Sequence, residues 1–347
     1  MTKTYDKGIV AWLITGCVLI WAMVIVGGIT RLTHSGLSIT TWSFVGGFPP
    51  STTEQWQAAF DHYKTSPEYK LINSYFGLED YKSIYWWEYI HRAIGNLIGV
   101  VFILPFIYFL IKKRINRSLM MKLIGVFLLG GLQGLLGWYM VKSGLINEPH
   151  VSHYRLATHL MTALLSFSFT FWVALDLIYP RDKQVPGFAS LKRWSWLLLF
   201  FVAIQIMYGA FTSGLHAGQF DPTWPKMGNN WIAPEVTSAL TPTWLNFFDG
   251  VAGVQFIHRY NAYIVTLLVC LVWFKARKMQ LLPTQRHGVN VLFTMVFVQF
   301  LLGVFTLIYS VPVIMGVLHQ TGAFILLAST IFVIHQWSLQ TNKAETL

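Results

Sequence analysis

Charged side chains are scarce in this sequence of 347 residues. They make up 11% of the chain, whereas a soluble globular domain has about 25%. Only two cysteines are present, which excludes a secreted fold held together by several disulfides. Hydrophobic residues account for 54% of the sequence, and the mean hydropathy is +0.52. This composition excludes a soluble or disordered chain and is typical of a polytopic membrane protein.

Eight stretches are apolar over the length of roughly 20 residues that a helix needs to cross a bilayer. They lie near 9–29, 88–111, 119–141, 154–178, 193–213, 251–274, 288–309 and 313–337. The first stretch is too long for the core of a signal peptide, and no small-residue cleavage site follows it. It is therefore interpreted as a retained membrane anchor.

The basic residues predict the orientation of the chain in the membrane. With a cytoplasmic N-terminus, the short inside segments hold most of the 25 basic residues. These are Lys3, Lys7, Lys112, Lys113, Arg114, Arg117, Lys122, Arg181, Lys183, Lys192, Arg193, Lys275, Arg277, Lys278, Arg286 and Lys343. The positive-inside rule then places both termini in the cytoplasm. The net charge of +11 is thus a signal of topology rather than of nucleic-acid binding.

Two long connections, about 30–87 and 214–250, are assigned to the outer side. Both are rich in Trp, Pro and Gly, and long connections of this kind are usually functional or disordered. Because their aromatic content favours order, we expect the function to lie on the outer face.

The sequence repeats itself from one half to the other. Four segments of the first half align with four segments of the second half in the same order. The first match aligns Gly27-Gly28-Ile29-Thr30, His34, Thr41 and Trp42 with Gly209-Ala210-Phe211-Thr212, His216, Thr223 and Trp224. The others align Ile90-His91-Arg92 with Ile257-His258-Arg259, Gln133 and Gly137 with Gln299 and Gly303, and His159 and Ala163 with His319 and Ala323. Spans 1–4 thus recur as spans 5–8, in the same orientation. The predicted fold is all-α, with two four-helix bundles, residues 1–180 and 181–347, related by a pseudo-two-fold axis along the membrane normal.

Four histidines lie near the outer ends of the even-numbered spans. They are His91 and His159 in the first half and His258 and His319 in the second. Neutral imidazole binds haem iron, copper or zinc, and each histidine is followed four residues later by Gly or Ala, which leaves room for a flat macrocycle. One bis-histidine haem pocket in each half is the favoured interpretation; the alternative is simple hydrogen bonding between helices.

Charged neighbours of these histidines differ between the halves. Arg92 and Arg259 each follow a histidine directly, and guanidinium groups suit haem propionates; the alternative is contact with lipid headgroups. Glu88 precedes His91 by three residues, whereas Gln255 holds that place before His258. A carboxylate in one half alone predicts acid–base chemistry there. The alternative for Glu88 is an ion pair with Arg92 or Arg31.

The chain resembles the haem A synthases almost from end to end. The resemblance is carried by Gly27-Gly28-Ile29-Thr30-Arg31-Leu32-Thr33 with Ser35-Gly36-Leu37-Ser38, Ser66-Pro67-Glu68-Tyr69-Lys70, Trp86-Trp87-Glu88-Tyr89-Ile90-His91-Arg92, Arg155-Leu156-Ala157 with His159-Leu160, His258-Arg259 and His319-Gln320. The strings of the first half are long and specific, whereas His-Arg alone would be a weak signal.

The resemblance implies an oxidoreductase that converts haem O to haem A for cytochrome oxidase biogenesis. It implies that His91 and His159 face the substrate haem, that His258 and His319 ligate a resident haem B, and that Glu88 is the catalytic carboxylate. It also implies that a porphyrin methyl group becomes a formyl group with oxygen from water. Lipid surrounds the protein, a haem O synthase and oxidase assembly factors are the expected partners, and a quinone is one possible electron acceptor.

The first outer loop departs from part of the family. Some relatives carry a cysteine pair there, but residues 30–87 contain none, so the chain resembles the cysteine-free branch that includes the mitochondrial enzymes. The short N-terminus without a transit peptide favours a bacterial plasma membrane. The roles of His34 and His216 stay open.

Two other classes of protein share parts of this pattern. A di-haem electron carrier of the cytochrome b type would need the four histidines, but Glu88 would then have no reason to lack a partner in the second half. A transporter with parallel repeats would need broken helices and polar residues at mid-membrane, and the spans contain few of either.

Overall fold

The computed structural model describes residues 6–40, 47–144, 151–179 and 188–338. Every regular element in these ranges is helical: α1 Lys7–Leu32, α2 Thr53–Tyr63, α3 Pro67–Leu71, α4 Leu78–Ile111, α5 Arg117–Gly144, α6 His153–Ile178, α7 Ala189–Gly214, α8 Glu235–Ser238, α9 Val251–Arg277, α10 Pro283–Ile308 and α11 Val313–Ser338, with 3-10 turns at Ala217–Gln219 and Thr243–Phe247. The predictions that concern Lys3, Thr41, Trp42, Arg181, Lys183 and Lys343 lie outside the described residues.

Eight of these helices are long and apolar enough to cross a membrane. They are α1, α4, α5, α6, α7, α9, α10 and α11. The predicted all-α, multi-pass fold with eight spans is therefore confirmed. Helix α4 begins at Leu78, well before the span expected near residue 88, because Asp80 accepts a hydrogen bond from the Gly77 backbone N–H and caps the helix earlier.

The chain forms two compact units. The N-terminal unit comprises Thr15–Ser166, and the C-terminal unit comprises Phe167–Leu347 together with Met1–Ile14. In the C-terminal unit α7 packs on α9, α9 on α10, α10 on α11, and α11 on α7. These four membrane helices thus form a closed bundle. The boundary near residue 180 and the pseudo-two-fold axis stay predictions.

Helices α2 and α3 order part of the first long connection. Thr52 caps α2 through its side-chain oxygen, which accepts from the backbone N–H of Gln55, and Ser66 caps α3 by accepting from the N–H of Tyr69. Phe60 and Tyr63 of α2 form a mainly aromatic buried cluster with Tyr81, Ile84 and Tyr85 of α4. The order expected from the aromatic content is confirmed for this part of the connection.

Asn246 organises the second long connection. Its fully buried side chain accepts from the backbone N–H of Leu240 and donates to the carbonyl oxygens of Leu240 and Thr243. The first turn of α9 packs directly against this segment, because Gly250 and Gly253 present no side chain to the Asn246 backbone. The start of α9, seven residues before His258, is thereby fixed.

We predict that Gly253→Ala strongly destabilises the protein. A β-carbon at this position would overlap the carbonyl oxygen of Asn246, and backbone cannot yield as a flexible side chain can, so a loss of about 1–3 kcal/mol or more in the free energy of unfolding is expected. The measurement is the thermal midpoint of the purified protein in detergent. Gly130→Ala is the matched control: no atom lies within 4 Å of its β-carbon position, so an equal fall in both variants would contradict the prediction.

Candidate functional site

His258 and His319 face each other within the C-terminal unit. His258 lies on α9 and His319 on α11; their ring centroids are 6.2 Å apart and the ring planes cross at 83°. Two imidazole nitrogens on opposite sides of one metal ion form bonds of about 2.0–2.1 Å, and adding the distance from nitrogen to ring centre on each side gives a separation of roughly 6 Å. The pair therefore fits a single iron ion held between the two rings.

Each of the four histidines packs against a glycine of a neighbouring helix. A β-carbon built on the glycine would lie 3.1 Å from His91 at Gly27, 3.1 Å from His159 at Gly137, 3.2 Å from His258 at Gly209 and 2.9 Å from His319 at Gly303. The first three distances are tighter than nine in ten real β-carbon contacts, and the one at Gly303 is closer than real β-carbons come. Any larger residue would therefore push the ring away, and the glycines let the helix backbone act as the back wall of each ring.

Space remains on the open side of the four rings. All four histidines are only partly buried. The residues one turn further along the same helices, Gly95, Ala163, Ala262 and Ala323, are small and also partly exposed. A flat macrocycle needs such clearance beside a helix, and these small residues leave it beside each of the four histidines.

Glu88 is buried and bound by three donors. Its Oε2 atom accepts from the Ser38 hydroxyl at 2.7 Å and from the Ile39 backbone N–H at 2.8 Å. Its Oε1 atom forms an ion pair with Arg92 at 2.5 Å. A carboxylate has about four acceptor positions, and the described residues fill three of them, which leaves one for a further donor. The pair with Arg92, considered from sequence as an alternative to catalysis, exists and fixes the carboxylate in place.

Gln255 makes the equivalent contacts in the C-terminal unit, but without a charge. Its Oε1 atom accepts from Arg259 at 3.2 Å, and its amide N–H groups donate to the carbonyl oxygens of Ala217 and Asp221. The backbone contacts of the two arginines also correspond, since Arg92 donates to the Ile39 carbonyl and Arg259 to the Asp221 carbonyl. The two units thus share one scaffold, in which the first places a carboxylate where the second places an amide.

The guanidinium groups are held by loop carbonyls in both units. Besides Asp221, Arg259 donates to the carbonyl oxygens of Thr223 and Lys226. Both arginines therefore fasten the start of a long connection to the helix that carries a histidine. The proposed contact with haem propionates stays a prediction for both.

Glu68 is a second buried carboxyl group of the first long connection. It lies on α3, is 5% exposed, and accepts a hydrogen bond from the Tyr63 hydroxyl, which in turn accepts from the Asn73 amide. Burial raises the pKa of Glu68 from 4.5 to about 7; the hydrogen bond from Tyr63 opposes this shift and the negative charge of Glu88 adds to it. The group therefore holds its proton to near-neutral pH.

We predict that Glu68 makes stability depend on pH. Because the folded chain binds the proton more tightly than the unfolded chain, the free energy of unfolding should fall as pH rises from about 4.5 to about 7, by a total on the order of 3 kcal/mol. The measurement is the thermal midpoint of the natural protein relative to that of Glu68→Gln at each pH, so that the titration of all other groups cancels; this difference should decline across the range. Glu54→Gln, whose carboxyl group is exposed, should show the same decline relative to Glu68→Gln, and a difference that does not change with pH would refute the prediction.

Three glutamines next to the histidines were not recognised from sequence. Gln133, Gln205 and Gln299 direct their side-chain amides at the rings of His159, His258 and His319. Self-comparison already aligns Gln133 with Gln299, which was the available signal, but it does not indicate which helix each side chain faces. Gln205 gives no such signal, because its aligned residue in the first half is Met23.

His34 and His216 occupy equivalent backbone positions. Both have left-handed φ values, 53° and 55°, directly beyond α1 and α7. Histidine is among the residues that tolerate this region best, and a left-handed residue is a common way to end a helix. Ending these helices is a role that both residues fulfil.

Comparison with known proteins places the chain in a family. Residues 10–331 match the family COX15-CtaA, described as cytochrome oxidase assembly protein. The haem A synthase of Flavobacterium johnsoniae is 48% identical, covering 97% of this chain and 99% of its own, and that of Nitrosospira multiformis is 44% identical, covering 95% and 94%. The haem A synthase COX15 of Arabidopsis thaliana is 41% identical over 95% of this chain and 74% of its own.

The extent of these matches agrees with the geometry of the two histidine sites. The family match covers all four histidines, their glycines and Glu88, and runs through all eight membrane helices. Nearly the whole chain, rather than one motif, carries the likeness. The chain belongs to the haem A synthase family of cytochrome oxidase assembly proteins.

Proposed function

We propose that this protein is an enzyme that oxidises a methyl group of haem O to a formyl group and so produces haem A. The observation that carries this proposal is the difference between two otherwise equivalent sites: Glu88 with Arg92 in one unit, Gln255 with Arg259 in the other. Two identical redox centres would not need this difference. A synthase does, because only the site that holds the substrate has chemistry to perform.

His258 and His319 are the proposed ligands of a resident haem B. Their separation of 6.2 Å fits one iron ion between the rings. When bound, this group supplies one-electron transfer. His91 and His159 are the proposed contacts of the substrate haem, since each packs on a glycine in the same manner and both lie in the unit that contains Glu88.

Glu88 is the proposed acceptor for the protons of water. The Ser38 hydroxyl, the Ile39 N–H and Arg92 hold its carboxylate in a fixed orientation, and its fourth acceptor position can bind a water molecule. As the substrate methyl group loses electrons and becomes electrophilic, this water attacks it, and Glu88 accepts a proton. General base catalysis of this kind contributes typically 10²–10⁴-fold to a rate.

The overall stoichiometry requires two oxidations. In the first, the methyl group and one water give a hydroxymethyl group, two electrons and two protons. In the second, the hydroxymethyl group and another water give a geminal diol, two electrons and two protons, and the diol then loses water to form the aldehyde. Four electrons leave in total, and a membrane quinone is the acceptor that we propose.

The protein's surroundings follow from the same proposal. The large apolar side chains exposed along the membrane helices, such as Leu104, Leu128 and Leu267, suit contact with lipid tails. The basic connection between α4 and α5 and that between α9 and α10 favour a bacterial plasma membrane protein with both termini in the cytoplasm. A haem O synthase is the proposed supplier of substrate, and oxidase assembly factors are the proposed receivers of product.

The test is to express the chain in a bacterial host that makes haem O but no haem A. Membrane haems are then extracted and identified by chromatography and mass. Haem A, or its hydroxymethyl precursor, is the expected result. Unconverted haem O in cells whose purified protein holds two low-spin haem B groups would instead establish a di-haem electron carrier.

A further inference from the structure

Three of the four histidine rings receive a hydrogen bond from a glutamine. The amide nitrogen lies 3.1 Å from Nδ1 of His159 for Gln133, 3.2 Å from Nδ1 of His258 for Gln205 and 3.1 Å from Nδ1 of His319 for Gln299. For Gln133 and Gln205 it also lies 3.2 Å and 3.5 Å from Nε2 of the same rings. Each glutamine stands one turn before the glycine that packs on the same ring, at Gly137, Gly209 and Gly303. One helix therefore supplies both the wall and the polar contact of each ring.

The glutamines are themselves fixed in place. Gln205 accepts from the Asn261 amide at 2.7 Å, and Gln299 donates to the backbone carbonyl of His319 at 2.9 Å. Gly322 makes room for the amide of Gln299, because a β-carbon there would overlap Oε1. Such packing lets the amides of Gln205 and Gln299 restrain a ring rather than follow it.

His91 is the exception. The residue one turn before Gly27 is Met23, which cannot donate a hydrogen bond, and among the described residues no hydrogen bond reaches the His91 ring. The Met23 methyl group lies instead beside Gly95, 3.4 Å from the position of a β-carbon there. The repeat thus preserves the glycine on α1 but replaces the polar contact by an apolar one.

The orientation of the His91 ring differs accordingly. At Gly27 the nearest ring atoms are Nε2 and Cδ2, whereas at Gly137, Gly209 and Gly303 they are Cε1 and Nδ1. The three rings held by glutamine therefore turn their Cε1 corner to the wall, whereas His91 turns its Nε2–Cδ2 edge. In metal-bound histidine, the partner of one ring nitrogen fixes which nitrogen faces the metal.

A glutamine amide can accept a hydrogen bond from a metal-bound histidine ring after a rotation of the amide group. When Nε2 binds iron, Nδ1 carries the proton and needs an acceptor. A half-turn of the amide exchanges its nitrogen and oxygen, and the Oε1 atom of Gln133 is buried without a partner among the described residues. This oxygen would gain its missing hydrogen bond from the Nδ1–H of a bound ring.

We infer that Gln133, Gln205 and Gln299 are positioning residues for three haem ligands, and that Met23 leaves His91 as the exchangeable one. This inference rests on the proposed haem sites. It explains how two similar pockets serve different purposes: the C-terminal pair retains its haem, whereas the N-terminal pair can bind substrate and release product by letting one ligand go. Loss of such an outer contact typically lowers metal affinity 10–100-fold.

The test exchanges the two residue types between the sites. Met23→Gln supplies the missing contact, Gln205→Met and Gln299→Met remove it in the resident site, and Met23→Leu is the apolar control. Full-length purified protein, supplied with additional haem B as a probe, is assayed for haem transfer to excess apomyoglobin, for the fraction of ferrous haem that binds carbon monoxide, and for midpoint potential. None of these readouts requires turnover.

Met23→Gln should slow release from the N-terminal pair at least ten-fold and lower its carbon monoxide-binding fraction, while Met23→Leu matches the natural protein. Gln205→Met and Gln299→Met should speed release of the resident haem 10–100-fold, raise its carbon monoxide-binding fraction and shift its midpoint potential. Unchanged release and potential in all three exchange variants would overturn the inference. Expected shifts in a protein that makes no haem A would retain the inference and reject the synthase, so the two failures are distinguishable.

Discussion

Glu88→Gln is expected to abolish the formation of haem A while leaving haem B in the C-terminal unit. The substitution removes the only group in this position that can accept a proton, and a loss of 10²-fold or more in product is expected from general base catalysis. Glutamine has nearly the shape of glutamate, and the C-terminal unit shows that Gln255 can occupy the equivalent place beside Arg259. The variant therefore makes the N-terminal site resemble the resident one.

Haem O conversion and haem B content are measured together in the same membranes. Glu54→Gln, in an exposed part of α2, is the control for the loss of one negative charge, and it should convert haem O normally. Ser38→Ala removes one of the three donors that orient the carboxylate and should reduce conversion by a smaller factor. Normal haem A formation by Glu88→Gln would remove Glu88 from the catalytic role.

Simultaneous loss of haem B would have another meaning. It would show that the Glu88–Arg92 pair supports the fold rather than the reaction, since a buried ion pair that loses one partner leaves an uncompensated charge. Thermal midpoints separate these cases. The electron-carrier hypothesis is tested as well, because such a protein should retain the redox activity of both haem groups without Glu88.

The membrane helices were predictable because lipid imposes a simple physical requirement. A helix that crosses the bilayer must present about 20 apolar residues, and all eight stretches of this kind form helices. The early start of α4 at Leu78 was missed, since polar residues ahead of the apolar stretch give no hydropathy signal. That start depends on Asp80, which caps the helix through the Gly77 N–H.

The candidate site was predictable to the extent that its residues recur within the chain. His91, His159, His258 and His319 emerged because the repeat singles them out, and Glu88 because its counterpart is Gln255. Their partners could not be found in this way. A glycine or glutamine on one helix and the histidine that it contacts on another are separated by at least 16 residues, and no local pattern in the sequence joins them.

The hydrogen-bond partners of the two arginines could not be predicted from the sequence either. Sequence places Arg92 and Arg259 near the membrane surface, where propionates or lipid headgroups are reasonable partners. The structure shows that backbone carbonyls of the long connections, such as those of Ile39 and Thr223, bind their guanidinium groups. Carbonyl acceptors exist at every residue, so the sequence cannot indicate which of them a side chain will reach.

His319→Ala is expected to remove the resident haem B almost completely. His258 and His319, whose ring centroids are 6.2 Å apart, would together hold the proposed haem iron, so alanine would remove one of the two side chains that bind it. Haem content per protein should fall at least ten-fold, and the low-spin signal of bis-histidine haem should disappear. The measurements are the haem content as the pyridine complex and the electron paramagnetic resonance spectrum of the purified protein.

His287→Ala and His91→Ala are the control variants for this experiment. His287 is exposed at the start of α10 in the same unit, so its removal should leave haem B and the low-spin signal unchanged. His91→Ala should also retain haem B, since His91 belongs to the N-terminal unit, but it should lose conversion of haem O. If His319→Ala kept its low-spin haem while His91→Ala lost it, the resident group would occupy the N-terminal pair, and the assignment of substrate and cofactor to the two units would be reversed.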